Sequence, residues 1–226
     1  MFFFNIVGAL SILYGTNIQT SDIYILSNKL STLNSVFNTD LSSIILPLTQ
    51  LNLLLIFCLF FYSNNNYSKS FIFLCFQVFF FGFFIEVLGV NTGFIFGEYS
   101  YGKTLGLKLF NTPLVMGINW LNLSLASFGV ISFFTEKKFL LILLSSLLMV
   151  SLDYIIEPIA INLDFWSWQN VSVPMHNYFG WFFGAIIVQI LIVFSEQKIN
   201  FKIAVGVLGS QLIFFLIQYL NYGNIS

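Results

Sequence analysis

The chain has 226 residues, of which 58% are hydrophobic and only 8% charged. Its mean hydropathy is +0.91. A soluble domain carries about a quarter charged residues, so this deficit points to an integral membrane protein. A net charge of −1, with all eight cations lysines, leaves no basic footprint for nucleic acid.

Other classes fall away on residue types. Cys58 and Cys75 both lie inside apolar runs, which gives neither a disulfide framework nor a thiolate metal site. The single histidine, His176, cannot form a His-based metal centre alone. No GxGxxG or GxxxxGK[ST] pattern occurs. The opening MFFFNIVGAL has no basic n-region, so it is expected to be retained rather than cleaved as a signal peptide.

A helix needs about 20 mostly apolar residues to cross the hydrocarbon layer. In chain order the expected spans are 2–15, 41–62, 70–90, 113–134, 139–161, 179–195 and 201–222. The fold class is therefore all-α: a polytopic membrane helical bundle of about seven transmembrane helices, with residues 1–226 as one integral membrane domain. Connections 63–69, 135–138 and 196–200 are short and polar, whereas 16–40, 91–112 and 162–178 are long. Lys69, Lys137, Lys138, Lys198 and Lys202 lie on the short-loop side, against Lys29, Lys103 and Lys108 opposite. The positive-inside rule then turns the short loops to the cytoplasm of a multi-pass protein in the cell (inner) membrane.

Ionisable groups inside a span cost about 2.5–3.5 kcal/mol each on insertion scales and are read first as functional. Three stand out: Glu86, Asp153 and Glu157. Span 70–90 runs toward the long-loop side and brings Glu86 near its outer end. Span 139–161 runs the same way and places Asp153 roughly 12 Å, and Glu157 roughly 6 Å, from its outer end at 1.5 Å per residue. Span 113–134 returns from that side, so Asn119, Trp120 and Asn122 enter at the same level. His176, Asn177 and Trp181 flank the outer start of span 179–195. The unusual polar residues thus converge in one leaflet.

Asp153 and Glu157 are four apart and share one helix face. Pro158 cannot donate to the carbonyl of Tyr154 and is expected to bend the helix beside them. No Lys or Arg lies in these spans, and at least one of the three acids is expected to stay protonated near neutral pH. The bland alternative is that they cap loop amides or bond across helices. Trp166, Trp168, Tyr178 and Trp181 fall at an expected membrane boundary, where such rings anchor singly. As a group, their faces can stabilise a cation. Gly180-Trp-Phe-Phe-Gly184 is a GxxxG pattern, read as a packing seam. His176 is expected on a loop.

Taken in order, the motifs resemble a known family. Glu86-Val-Leu-Gly89-Val-Asn-Thr92-Gly93-Phe-Ile-Phe96-Gly97-Glu-Tyr99-Ser-Tyr101 is similar to the E-x-x-G-x-x-T-G-x-x-F-G-x-Y-x-Y segment of the membrane carotenoid biosynthesis family, which includes carotenoid 1,2-hydratase-like and bisanhydrobacterioruberin hydratase-like members. Leu105-Gly106, Pro113-Leu114, Trp120, Asp153-x-x-x-Glu157-Pro158, Trp166-x-Trp168 and Val173-Pro174-x-x-Asn177-x-x-Gly180-Trp181 continue the pattern.

The resemblance implies a hydratase adding water across the terminal C1–C2 double bond of a linear or monocyclic carotenoid such as lycopene or γ-carotene. It implies no cofactor and no metal; the partners are a lipophilic substrate, water and membrane lipid. On this reading Asp153 gives the proton, because it lies deepest, and Glu157 or Glu86 handles the water. Asn119 and Asn177 position that water, and Trp120, Trp166, Trp168 and Trp181 face the substrate cation. Thr92, Gly93, Phe96, Gly97 and Tyr99 shape a re-entrant or capping loop.

Three alternatives stay open. A carotenoid end-group cyclase would use the same protonation and let the cation collapse onto its own chain. A proton-coupled transporter would also place carboxylates in the membrane. Against it stand the absence of an inverted repeat and the clustering of the acids in one leaflet. A structural or pigment-binding protein would tolerate the loss of Asp153.

Overall fold

The computed structural model describes residues 48–63, 68–170 and 172–222. These contain six helices: α1 (Thr49–Ser63), α2 (Lys69–Thr92), α3 (Val115–Ile131), α4 (Lys138–Asn162), α5 (Met175–Phe194) and α6 (Phe201–Tyr222). Helices α2, α4 and α5 are long and apolar enough to cross a membrane, while α1, α3 and α6 carry shorter apolar stretches. The expected span 2–15 and the first part of 41–62 lie outside the described residues.

Local chemistry sets the ends of α2. Its first turn is closed by Ser68, whose hydroxyl oxygen accepts from the Phe71 amide at 3.1 Å. At the other end Gly93 takes φ +65°, and its amide donates to the Gly89 carbonyl at 2.8 Å, a left-handed stop that favours glycine. Helix α4 runs through Pro158 without interruption and ends one turn later. Helix α5 begins earlier than the sequence suggests, directly after Pro174. His176 therefore sits, exposed, in a first helical turn rather than on a loop.

Helix α3 is the axis of the bundle and packs against all five other helices. Two polar side chains tie neighbours to it: Asn122 donates to the Leu53 carbonyl of α1 at 2.8 Å, and Gln189 of α5 donates to the Ser124 carbonyl at 3.1 Å. Between apolar helices such bonds hold elements together where the hydrophobic effect supplies no contrast. Close approach of α2 depends on Gly82, since a Cβ there would stand 2.3 Å from the Trp120 Cβ. The outward face of α2 carries Phe73, Phe76, Phe80, Phe84 and Leu88, all exposed, as expected for a helix that is apolar all round.

Four short strands complete the fold at one end: β1 (Tyr99–Tyr101), β2 (Lys108–Leu109), β3 (Thr112–Pro113) and β4 (Trp166–Trp168). Strands β2 and β3 form a hairpin across Phe110 and Asn111, both at positive φ, the requirement of a type I′ turn. Asn91 in the last turn of α2 donates to the Phe110 carbonyl at 2.9 Å and accepts from Asn111 at 2.8 Å, which pins the hairpin to the helix. Strand β1 pairs antiparallel with β4, in the register Tyr99↔Trp168, Ser100↔Ser167 and Tyr101↔Trp166. The alternation of a strand divides this ribbon into two faces. Ser100 and Ser167 meet on the exposed face, 3.2 Å apart, and the four aromatics share the other.

Candidate functional site

The aromatic face of the ribbon covers the end of the bundle that holds the three acids. Glu86, Asp153 and Glu157 are 2%, 3% and 2% exposed. They line one cavity together with Phe96, Tyr99, Tyr101, Met116, Trp166, Trp168, Asn177 and Trp181. Its volume is about 20 Å³.

Each acid has a different set of donors. Glu86 is surrounded: Trp120 donates to Oε1 at 2.9 Å, while Tyr99 and Tyr101 donate to Oε2 at 2.8 and 2.5 Å. Glu157 receives both indoles of β4 on one oxygen, Trp166 to Oε1 at 2.8 Å and Trp168 to the same atom. Its Oε2 is buried with no hydrogen-bond partner among the described residues. Asp153 accepts through Oδ2 from Asn177, at 3.2 Å. One glutamate therefore holds β1 and the other holds β4, and Asp153 holds neither.

The phenols act as donors. Burial foremost, and then the adjacent Glu86 charge, push Tyr99 and Tyr101 well above their ordinary value of 10. Lys108 supports this strand from behind, with its ammonium on the Tyr101 carbonyl at 2.5 Å.

The aromatic lining is continuous. Trp120 and Trp181 stack at 4.4 Å with their planes 7° apart. Tyr99 lies 5.3 Å from the Trp168 ring, and Phe96 lies 6.3 Å from Trp181. The Gly180–Gly184 pair makes room for this layer: a Cβ at Gly180 would press on the Ile95 carbonyl at 2.5 Å, and one at Gly184 on Trp120 at 2.9 Å. The seam thus seats the loop before β1 and an indole, as well as helix against helix. Such a chamber can hold a proton on an acid and face a cation with ring π-clouds.

Of the residues singled out in the sequence, Glu86, Asp153, Glu157, Phe96, Tyr99, Trp166, Trp168, Asn177 and Trp181 line the cavity, and Trp120 reaches it through Glu86. Thr92 does not: it is exposed at the end of α2 and donates to the Leu88 carbonyl at 2.6 Å. Asn119 is also absent from the lining, because successive helical residues point about 100° apart and Trp120 takes the inward direction. Tyr101 and Met116 are additions. Tyr101 was legible as the second aromatic of a period-two Tyr-x-Tyr; Met116 carried no signal. Among the described residues no group of three or more His, Cys, Asp or Glu side chains is arranged to hold a metal ion.

The chain is 32% identical over 132 residues to the bisanhydrobacterioruberin hydratase of Haloarcula japonica, a match covering 52% of this chain and 43% of that protein. The matched part is therefore less than half the length of that relative. No solved structure matches the chain significantly. The family described as carotenoid biosynthesis protein matches residues 47–224, most of the sequence and every described helix. This membrane protein belongs to the carotenoid biosynthesis protein family.

Proposed function

We propose that the chain hydrates the terminal C1–C2 double bond of a linear or monocyclic carotenoid, of the lycopene or γ-carotene type. It does so as a multi-pass protein of the inner membrane, with the lysine-rich short loops in the cytoplasm. The observation that carries this reading is Asp153: an acid 3% exposed, lining an aromatic chamber and accepting one amide hydrogen bond. The two glutamates are engaged by two and three aromatic donors.

Asp153 gives its proton to C2, and the π electrons form the new C–H bond. The positive charge falls on C1, a tertiary centre, where the faces of Trp168, Trp181 and Phe96 stabilise it without forming a bond. Water then attacks C1, and a second carboxylate takes the proton that the water releases. The cavity of about 20 Å³ exceeds the roughly 10–15 Å³ that a single water needs. An isoprenoid terminus is much larger than this cavity, so the ribbon gives way to admit it.

The test is expression in a bacterium that accumulates lycopene, followed by chromatography and mass spectrometry of the pigments. A product heavier by one or two waters is expected, and Asp153→Asn should abolish it with the protein still in the membrane. A ring-ended isomer of unchanged mass would replace the hydratase with a cyclase. Unchanged lycopene and unchanged γ-carotene, with the protein in the membrane, would refute both.

A further inference from the structure

We propose that Glu157, through Oε2, holds the water that attacks the substrate cation, whereas Glu86 is a positioning residue that keeps the ribbon seated and never touches that water. The assignment rests on the hydratase reading above and divides labour between two glutamates that the sequence leaves interchangeable.

The division follows from how the donors are distributed. Both side chains are 2% exposed, and both meet aromatic N–H or O–H groups. Glu86 has both oxygens engaged, Oε1 by Trp120 and Oε2 by two phenols. Glu157 receives its two indoles on Oε1 alone, and its Oε2 is buried without a protein partner among the described residues. Buried polar atoms are nearly always paired with protein or water. The same side chain lines a cavity with room for about one water. The orphaned oxygen and the space for its partner therefore occur at the same residue.

The spacing completes a cycle. Asp153 lies one turn before Glu157 on α4, and both are buried on the side of the helix that faces the cavity. Asp153 loses its proton to C2. The water bound to Glu157 then forms the C1–O bond, and its surplus proton passes to Oε2. Transfer of that proton from Glu157 to Asp153 restores both groups, and the net change is alkene plus water to tertiary alcohol. When no water is held, the cation instead returns a proton from a carbon next to C1 to the Asp153 carboxylate, and an alkene is regenerated. In D2O this futile path leaves deuterium in carotenoid that has not been hydrated.

The ratio of deuterated, unhydrated carotenoid to hydrated product is therefore the readout, with purified full-length chain, lycopene and D2O. Glu157→Gln keeps a carbonyl oxygen for the two indoles but cannot take the proton. It should cut hydration by about 100-fold, the usual scale for a lost general base, and raise the ratio. Glu86→Gln should lower exchange and hydration together and leave the ratio where it was. A ratio unchanged in Glu157→Gln, or raised in Glu86→Gln, overturns the assignment. An unaltered chain that forms no hydrated product retires the hydratase reading and this assignment with it, an outcome visible before any variant is made.

Discussion

Replacing Glu86 with Ala removes the acceptor of Tyr99, Tyr101 and Trp120 at once. The effect on the ribbon can be worked from the two phenols, because Trp120 belongs to the bundle. The Tyr101 bond is fully buried and the Tyr99 bond only partly so. A buried donor left unpaired costs about 1–3 kcal/mol. With Tyr99 placed at the low end of that range, the ribbon loses about 2–4 kcal/mol of its hold on the bundle. At 1.4 kcal/mol per decade, its opening becomes roughly 30- to 700-fold more frequent. Hydrogen exchange read by mass spectrometry reports this directly. The sensitive amides are Gly102, which donates to the Phe165 carbonyl at 2.9 Å, and Gln169, which donates to the Glu98 carbonyl at 3.0 Å. Both should exchange faster in Glu86→Ala, while amides of α3 between Leu121 and Ser127 keep their protection. Glu86→Gln, which retains one carbonyl acceptor, should fall between. Unaltered exchange at Gly102 and Gln169, or an equal loss along α3, would refute the idea that Glu86 fastens the ribbon.

Two further outcomes follow from particular contacts. Tyr99 and Tyr101 keep their protons above the ordinary value of 10, so the stability they supply is complete below pH 10 and is lost as pH rises beyond it. Thermal melts between pH 8 and 11 should show this alkaline decline, with a shallower slope in the double Tyr→Phe variant; an unchanged slope would count against it. Gly82→Val forces side-chain atoms onto the Trp120 Cβ, 2.3 Å from the position of the first carbon, whereas Gly209 has nothing within 4 Å of its Cβ position. Overpacking costs typically about 1–3 kcal/mol, so Gly82→Val should lower the melting temperature in detergent and Gly209→Ala should not; equal melting temperatures would contradict the close packing of α2 on α3.

The helices and the meeting of the acids were legible for a simple reason. Uninterrupted apolar runs announce spans, and alternating direction fixes which residues share a level, so Glu86, Asp153 and Glu157 could be brought to one end without coordinates. Fine orientation was not legible. Asn119 and Trp120 enter at the same depth, but only rotation about α3 decides between them, and the close fit at Gly82 settles it for the indole. Thr92 satisfies its hydroxyl on its own helix, a local bond that depth arguments do not register. The ribbon shows the limit most clearly. Tyr-x-Tyr and Trp-x-Trp each display a strand's period of two, but their pairing is non-local and nothing in either segment specifies the other. The start of α5 was missed because Met175-His-Asn-Tyr is too polar to resemble a span, although Pro174 is a suitable residue to precede a helix.

The pairing of β1 with β4 also bears on how the protein is made. Ser100 and Ser167, opposite one another in the ribbon, are 67 residues apart in the chain. At the usual 5–20 residues per second, a ribosome needs about 3–13 s to travel that distance. When β1 is made, Glu86 is already in the chain, but Trp120 is still to come, Asp153 and Glu157 are added only in the last third of that stretch, and the closing strand follows them. The nascent chain must therefore carry a half-built acidic chamber through insertion, and only the arrival of Trp166 and Trp168 seals it. Translational pauses between residues 101 and 166 would lengthen that exposure, so the codons of this stretch bear on how much finished protein the membrane receives.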